Sequence, residues 1–383
     1  MRQERDPWWF VVDPFLIAAV GAIVAIGVLL VFSATRGPAD EITPANTSFL
    51  QRQVVFAFVG ASAGLFAAVT NIERIRGLIG TAYVGLMVLL FGLLLFGTNI
   101  NGAQAWYRFP GFTFQPSEPG KLVVILVLAS VFSAGDVDVR RMASGLALAM
   151  LPVGMIMLQP DLGTVLVYIA ITAVMIMMSN ISPRLIVMLV LAAITAITLI
   201  FTSDTLEDFQ KARLTVFVLD EASIAELGPD AVRVAYNAQQ SQIAIGNGGL
   251  TGTGLFEGSQ TSSNLVPEQQ TDFIFSVAGE ELGFRGAGAL LALFAVVVVR
   301  IWRIAVHATD EFDRLLAVGV MAMIIFQVFQ SAGMTMGMMP VTGIPMPFVS
   351  YGGSSMLTSM VAIGLVLGVH RRRFDYASPG SRS

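Results

Sequence analysis

Residues 77–97 and 162–179 contain no Asp, Glu, Lys or Arg. Uncharged runs of this length recur along the chain, and they constrain the fold more than any other feature. A stretch of about 20 apolar residues spans the hydrocarbon core of a bilayer as a helix. Lipid offers no hydrogen-bond partners, so each backbone N–H and C=O must be satisfied within the segment, which excludes open strands. Only 13% of the 383 residues are charged and 55% are hydrophobic, too little charge to cover a soluble protein of this size. The run from Pro14 to Ser33 follows Arg2 and Arg5, exceeds a signal-peptide core and lacks a small-residue cleavage site after it. It reads as a retained first helix.

The expected fold is an all-α polytopic membrane protein, one fused domain over 1–383. About ten transmembrane helices are expected, near 14–33, 52–71, 77–97, 118–134, 142–158, 162–179, 184–202, 272–299, 314–337 and 355–370. Arg74, Arg76, Arg140, Arg141, Arg184, Arg300, Arg303, Arg314 and Arg371 to Arg373 fall in alternate connections together with the N-terminal arginines. The positive-inside bias puts that set, with tails 1–13 and 371–383, in the cytoplasm. A large extracytoplasmic loop, 203–271, then separates the seventh and eighth helices, and 34–51, 98–117 and 338–354 share its side. Segment 204–219 reads as amphipathic, with Lys211 and Arg213.

Several chemistries are excluded by composition. There is no Cys, and the two histidines, His307 and His370, both fall on the cytoplasmic side. Proton transfer outside therefore falls to Asp, Glu, Tyr or a perturbed Lys. The Gly-rich run 246–258 lacks the Lys-Ser/Thr ending of a nucleotide loop. A flexible hinge is expected there, or a nest of backbone N–H groups for a pyrophosphate.

Four segments are chemistry-bearing. In Gln115 to Lys121, Ser117 can cap a helix and Glu118 suits its positive end, while Lys121 lies a turn inside an apolar span. Asp161, after Gln159 and Pro160, reads as a cap of the sixth helix. Asp272 enters the eighth helix either as a cap or as a general base at the membrane interface. Further along, Glu280 and Glu281 would lie in the bilayer if the helix is continuous; Glu281 is spaced to pair with Arg285, and Glu280, without a local partner, is expected to bond to another helix. Residues 340–355 hold three prolines and three glycines, so they read as a re-entrant segment lining a polar cavity or forming a rigid plug.

Together these blocks resemble the SEDS family of bacterial cell-wall proteins. The resemblance rests on FQPSEPGKL at 114–122, QPDLGT at 159–164, QSQIAIGNGGLTGTGLFEGSQT at 240–261, PEQQTDFIFSVAGEELGF at 267–284 and GIPMPFVSYGGSS at 343–355. Thr342 and the GSQT at 258–261 are similar to the RodA branch more than to the FtsW branch. Ala105 stands where the family often has a basic residue before its Trp, with Arg108 as a substitute, and Pro119-Gly120 departs from the usual pair before the Lys.

The resemblance implies a peptidoglycan glycosyltransferase of cell elongation in the cytoplasmic membrane of a bacterium. Its substrate would be lipid II, its products β-1,4-linked glycan and undecaprenyl pyrophosphate. Asp272 would be the essential acid, and Lys121, Arg108 and Arg213 the cations for the leaving group. Glu118 would orient Lys121, and Gln115, Ser117, Gln240, Glu268 and Ser350 are supporting candidates. No cofactor is firmly implied, although a divalent cation could share the charge. Implied partners are a class B penicillin-binding protein and other elongation-complex proteins, with no nucleic acid. A flippase for the lipid-linked precursor, or a scaffold for the transpeptidase, is the alternative.

Overall fold

The computed structural model describes residues 12–37, 46–100, 102–202 and 228–377. In chain order the elements are α1 (Pro14–Thr35), α2 (Ser48–Val69), α3 (Ile72–Phe96), β1 (Thr98–Ile100), β2 (Ala103–Phe109), β3 (Phe112–Phe114), α4 (Ser117–Phe132), α5 (Val139–Met157), α6 (Leu162–Met178) and α7 (Pro183–Thr202). After them come α8 (Pro229–Gly248), α9 (Ser259–Ser262), α10 (Ile274–Val306), α11 (Glu311–Thr335) and α12 (Gly353–Ala377). Every span expected from hydropathy is a helix. Among the described residues, seven helices are long and apolar enough to cross a membrane, and α6 is a shorter apolar one. Segment 204–219, with Lys211 and Arg213, lies outside the described residues.

The all-α expectation needs one correction. Residues 98–114 form a three-stranded antiparallel meander, β1-β2-β3. Tyr107 pairs with Phe114, Arg108 with Thr113 and Phe109 with Phe112. Residues 103–109 alternate around Trp106, but strands this short carry little signal beside spans of 20 apolar residues. Gly111, at φ +90°, makes the β2–β3 turn.

One end of the bundle is held by ion pairs between helices. Asp13 caps α1 by accepting from the Leu16 amide at 3.0 Å, and meets Arg300 of α10 at 2.7 Å. Asp313 of α11 meets Arg372 of α12 at 2.6 Å, and Asp310 meets Arg76 of α3. The sheet lies at the opposite end. Between them α2 packs on α12 through glycines: a Cβ on Gly364 would stand 2.0 Å from the Gly64 carbonyl oxygen. Only residues without side chains permit backbones to approach this closely.

Helix α10 is broken. Gly283 has φ 65° and ψ −169°, so the helical hydrogen bonds are interrupted there. The Gly-rich segment repairs the gap. Thr253 and Gly254 donate to the carbonyls of Glu280 and Glu281 at 3.0 and 3.1 Å, while the Phe284 and Arg285 amides donate to Gly249 and Leu250 at 2.9 and 3.1 Å. A Cβ on Gly252 would stand 2.1 Å from the Glu281 carbonyl. The glycines thus permit close backbone contact; the expected hinge is a packed strap.

The break also overturns the pairing read for Glu281, whereas Glu280 does bond to another helix, α9. Arg285 lies beyond Gly283, so the helical spacing from Glu281 does not exist, and Glu281 accepts instead from the Ser33 hydroxyl of α1. Glu280 accepts from the amides of Gln260 and Thr261 at 2.8 and 2.9 Å and from the Thr261 hydroxyl at 2.7 Å. A fully buried carboxylate is tolerable when several donors converge on it.

Candidate active site

A cavity of about 510 Å³ opens at the sheet-bearing end. Its walls come from segments far apart in sequence. Phe49, Arg52 and Phe56 enter from α2, Trp106 and Arg108 from β2, Gln115 and Glu118 from the start of α4, and Asp161 and Thr164 from the start of α6. Glu268, Asp272, Thr342, Tyr351 and Ser354 complete it. Helices α2, α4, α6, α10 and α12 all begin here, so five N-termini direct partial positive charge at one chamber. Such ends favour anionic groups, and Arg52 and Arg108 add full cationic charge.

Asp272 does not cap α10. The helix begins at Ile274, with Phe273 at the cap position and no side-chain bond to the helix. A turn precedes it, in which the amides of Thr271 and Asp272 donate to the Glu268 carbonyl, each at 3.1 Å. Glu268 itself has φ 54°, in the left-handed region. The turn is gripped from behind by the re-entrant segment. The Ser350 hydroxyl donates to the Thr271 carbonyl at 2.6 Å and accepts from the Met346 amide at 2.8 Å. The Tyr351 amide donates to the Gln270 carbonyl at 2.8 Å. Ser350 thus positions the turn without entering the cavity.

Asp161 does cap its helix, accepting from the Thr164 amide at 3.0 Å and the Thr164 hydroxyl at 2.8 Å. It also accepts from the Gln115 side chain at 3.0 Å, joining α6 to the start of α4. The Gln115 amide donates to the Ser354 hydroxyl at 3.1 Å, bringing in α12. Lys121 Nζ donates to Glu118 Oε1 at 2.7 Å, and both side chains are buried. Only Glu118 reaches the cavity wall; Lys121 stands behind it.

Other expectations fare unevenly. Ser117 is not the cap of α4, because Pro116 occupies that position, and the Ser117 hydroxyl is buried without a protein partner. Its carbonyl accepts from the Tyr168 hydroxyl at 2.9 Å, and a Cβ on Gly120 would stand 2.3 Å from that hydroxyl, which accounts for the glycine before Lys121. Ala105 is buried, 1% exposed, whereas Arg108 lines the cavity. Gln240 lies half-buried on α8, away from the chamber. Arg213 lies outside the described residues. No group of three metal-ligating side chains occurs among the described residues. Arg52 and Tyr351 were missed. Arg52 carried the same signal as Lys121, an ionisable residue in an apolar span, and Tyr351 lay in a segment legible only as irregular.

The fold and cavity define a polytopic helical membrane protein with a polar chamber at one end of its bundle. Residues 14–374 match the model of the FtsW, RodA and SpoVE cell cycle proteins, and the chain belongs to that family. It is 32% identical to the probable peptidoglycan glycosyltransferase FtsW of Trichlorobacter lovleyi, over 93% of this chain and 92% of that one. It is 31% identical to the peptidoglycan glycosyltransferase MrdB of Escherichia coli K12, over 94% of each. Among solved structures, a chain of a peptidoglycan synthase complex superposes with a TM-score of 0.77 at 30% identity, covering 95% of this chain and 98% of that chain. Thermus thermophilus RodA superposes with a TM-score of 0.68 at 30% identity, covering 96% and 99%.

Proposed function

We propose that this chain polymerises peptidoglycan glycan strands from lipid II in the elongation of a rod-shaped cell. The observation that carries the reading is the convergence of Asp272, Arg52 and Arg108 on one chamber ringed by helix N-termini. A donor used outside the cytoplasm must carry its own leaving group, and an isoprenoid pyrophosphate does so.

The acceptor's GlcNAc hydroxyl oxygen bonds to the donor's anomeric carbon as the bond from that carbon to the pyrophosphate oxygen breaks. The hydroxyl proton passes to Asp272, a step that general-base assistance accelerates by about 10²–10⁴-fold. Attack opposite the departing α-pyrophosphate inverts the centre and gives the β-1,4 linkage. Charge developing on the pyrophosphate meets Arg108, Arg52 and the helix N-termini. Lys121 acts from behind through Glu118. Gln115 and Glu268 border the acceptor or donor sugar, and Ser350 holds the turn that carries Asp272.

Sidedness follows from charge. The arginine-rich connections and the ion-paired end face the cytoplasm with both termini, and the cavity faces out. Thr342 supports the elongation branch: it lines the cavity where FtsW-like sequences usually place a Lys. A class B penicillin-binding protein is the proposed partner, in keeping with the related chain found in a synthase complex.

The test is polymer formation from purified lipid II, comparing wild type with Asp272→Asn, with and without the transpeptidase. Polymer from the wild type alone is expected. Equal polymer from both proteins would remove the base assignment, and none from either would favour the scaffold or flippase.

A further inference from the structure

The β2–β3 hairpin has two chemically distinct faces. Residues two apart on a strand share a face, as do residues directly opposite across an antiparallel pair. Trp106, Arg108 and its partner Thr113 therefore form one face, and all three line the cavity. Tyr107, Phe109, Phe112 and Phe114 form the other. At its tip the Phe109 and Phe112 rings stack with centroids 5.1 Å apart and planes 19° apart. They stand at the cavity rim, yet remain 45% and 50% exposed. A Cβ on Gly111, between them, would meet nothing within 4 Å, so among the described residues none packs over the turn.

The surface next to this pair shows what covers it. The Tyr107 hydroxyl donates to the Leu89 carbonyl of α3 at 2.9 Å and lies against Gly92. That contact sets the apolar hairpin face against the last turns of α3, where Leu89, Phe91, Leu95 and Phe96 are 40%, 56%, 61% and 76% exposed. Helix α3 is one of the apolar membrane-length helices, so these side chains face lipid. The stacked phenylalanines extend this lipid-facing surface past the helix end, toward the headgroup/acyl boundary in which apolar side chains such as Phe bury.

We propose that Phe109 and Phe112 anchor the hairpin in the bilayer leaflet at the sheet-bearing end. The occupant of the aromatic tip is the acyl-chain boundary of that leaflet. Because Arg108 and Trp106 ride on the other face of the same strand, the membrane surface sets the height of the cavity rim. This holds whatever reaction the cavity performs.

The chain has no cysteine, so a single substitution gives a unique labelling site. A spin label would be placed at Phe112→Cys, and separately at Phe109→Cys and Thr113→Cys, in substrate-free phosphatidylglycerol–phosphatidylethanolamine liposomes. Collision rates with oxygen and with a polar nickel chelate would be read for each. The expected result is a several-fold higher oxygen-to-nickel ratio at 109 and 112 than at 113. Equal ratios at the three sites would overturn the anchor. Shielding that emerges only on adding an isoprenoid pyrophosphate would also overturn it, because the pair would then hold the tail of a substrate. Labelling two tip positions keeps the test decisive if one variant fails to fold.

Discussion

The Ser350 hydroxyl reaches across the chain to the Thr271 carbonyl, 2.6 Å away, so the residue before Asp272 is held by a side chain 79 positions later. Replacing Ser350 with Ala leaves the Thr271 carbonyl and the Met346 amide without this partner, at about 1–3 kcal/mol for each group that stays dry. Ser350→Ala should lower kcat for glycan polymerisation more than it raises KM, with a reduced thermal midpoint. Steady-state kinetics on lipid II would show the split, and an unchanged kcat would separate Ser350 from the turn.

Asp272→Ala should lose at least about 10²-fold in polymerisation, the lower bound of general-base assistance, while keeping the wild-type thermal midpoint. The turn is built from backbone bonds to Glu268 and does not use the Asp272 side chain as a cap, which is why the fold should tolerate the change. Polymer yield and a melting curve on the same purified sample check both halves.

The Glu118–Lys121 pair should behave as a buried unit. Lys121→Met leaves a carboxylate without its 2.7 Å partner, and breaking a buried pair in this way costs about 3–5 kcal/mol. The double variant Glu118→Gln/Lys121→Met should therefore be more stable than Lys121→Met alone. Thermal unfolding of the two single variants and the double variant in detergent would give the coupling.

Two nearby glycines should respond oppositely. A Cβ on Gly283 would stand 2.2 Å from the Gly252 amide nitrogen, at φ 65°, so Gly283→Ala should unfold the strap or prevent folding. A Cβ on Gly288 would meet nothing within 4 Å, so Gly288→Ala in the helix interior should be neutral or stabilise by about 0.5–1 kcal/mol. Expression yield and melting temperature in detergent distinguish the pair.

The ten expected segments were legible as helices because each carries an apolar run, and lipid permits only a helix for such a run. Asp272, Glu118, Gln115, Arg108 and Glu268 were legible as candidates because they fall in the polar segments between apolar spans that carry the family resemblance, and all five line the cavity. Lys121 shows the limit. Its depth can be read from the sequence, but the direction of its side chain depends on which helices surround α4. Glu281 was misjudged because the left-handed backbone of Gly283 leaves no trace in composition. The same applies to the Gly-rich strap: glycine permits both a hinge and a close contact, and only the position of the α10 carbonyls decides between them.

The glycine contact between α2 and α12 has a consequence for biogenesis. Spans leave the translocon in chain order, so α2 enters the bilayer long before its partner surface is synthesised. Until α12 arrives, Gly60 and Gly64 lack their packing partner, and the chamber lacks Tyr351 and Ser354. The arrival of α12 therefore both closes α2 into the bundle and completes the site. A chain stalled before α12 would hold Asp272 without a finished chamber around it, so activity begins only once α12 is in place.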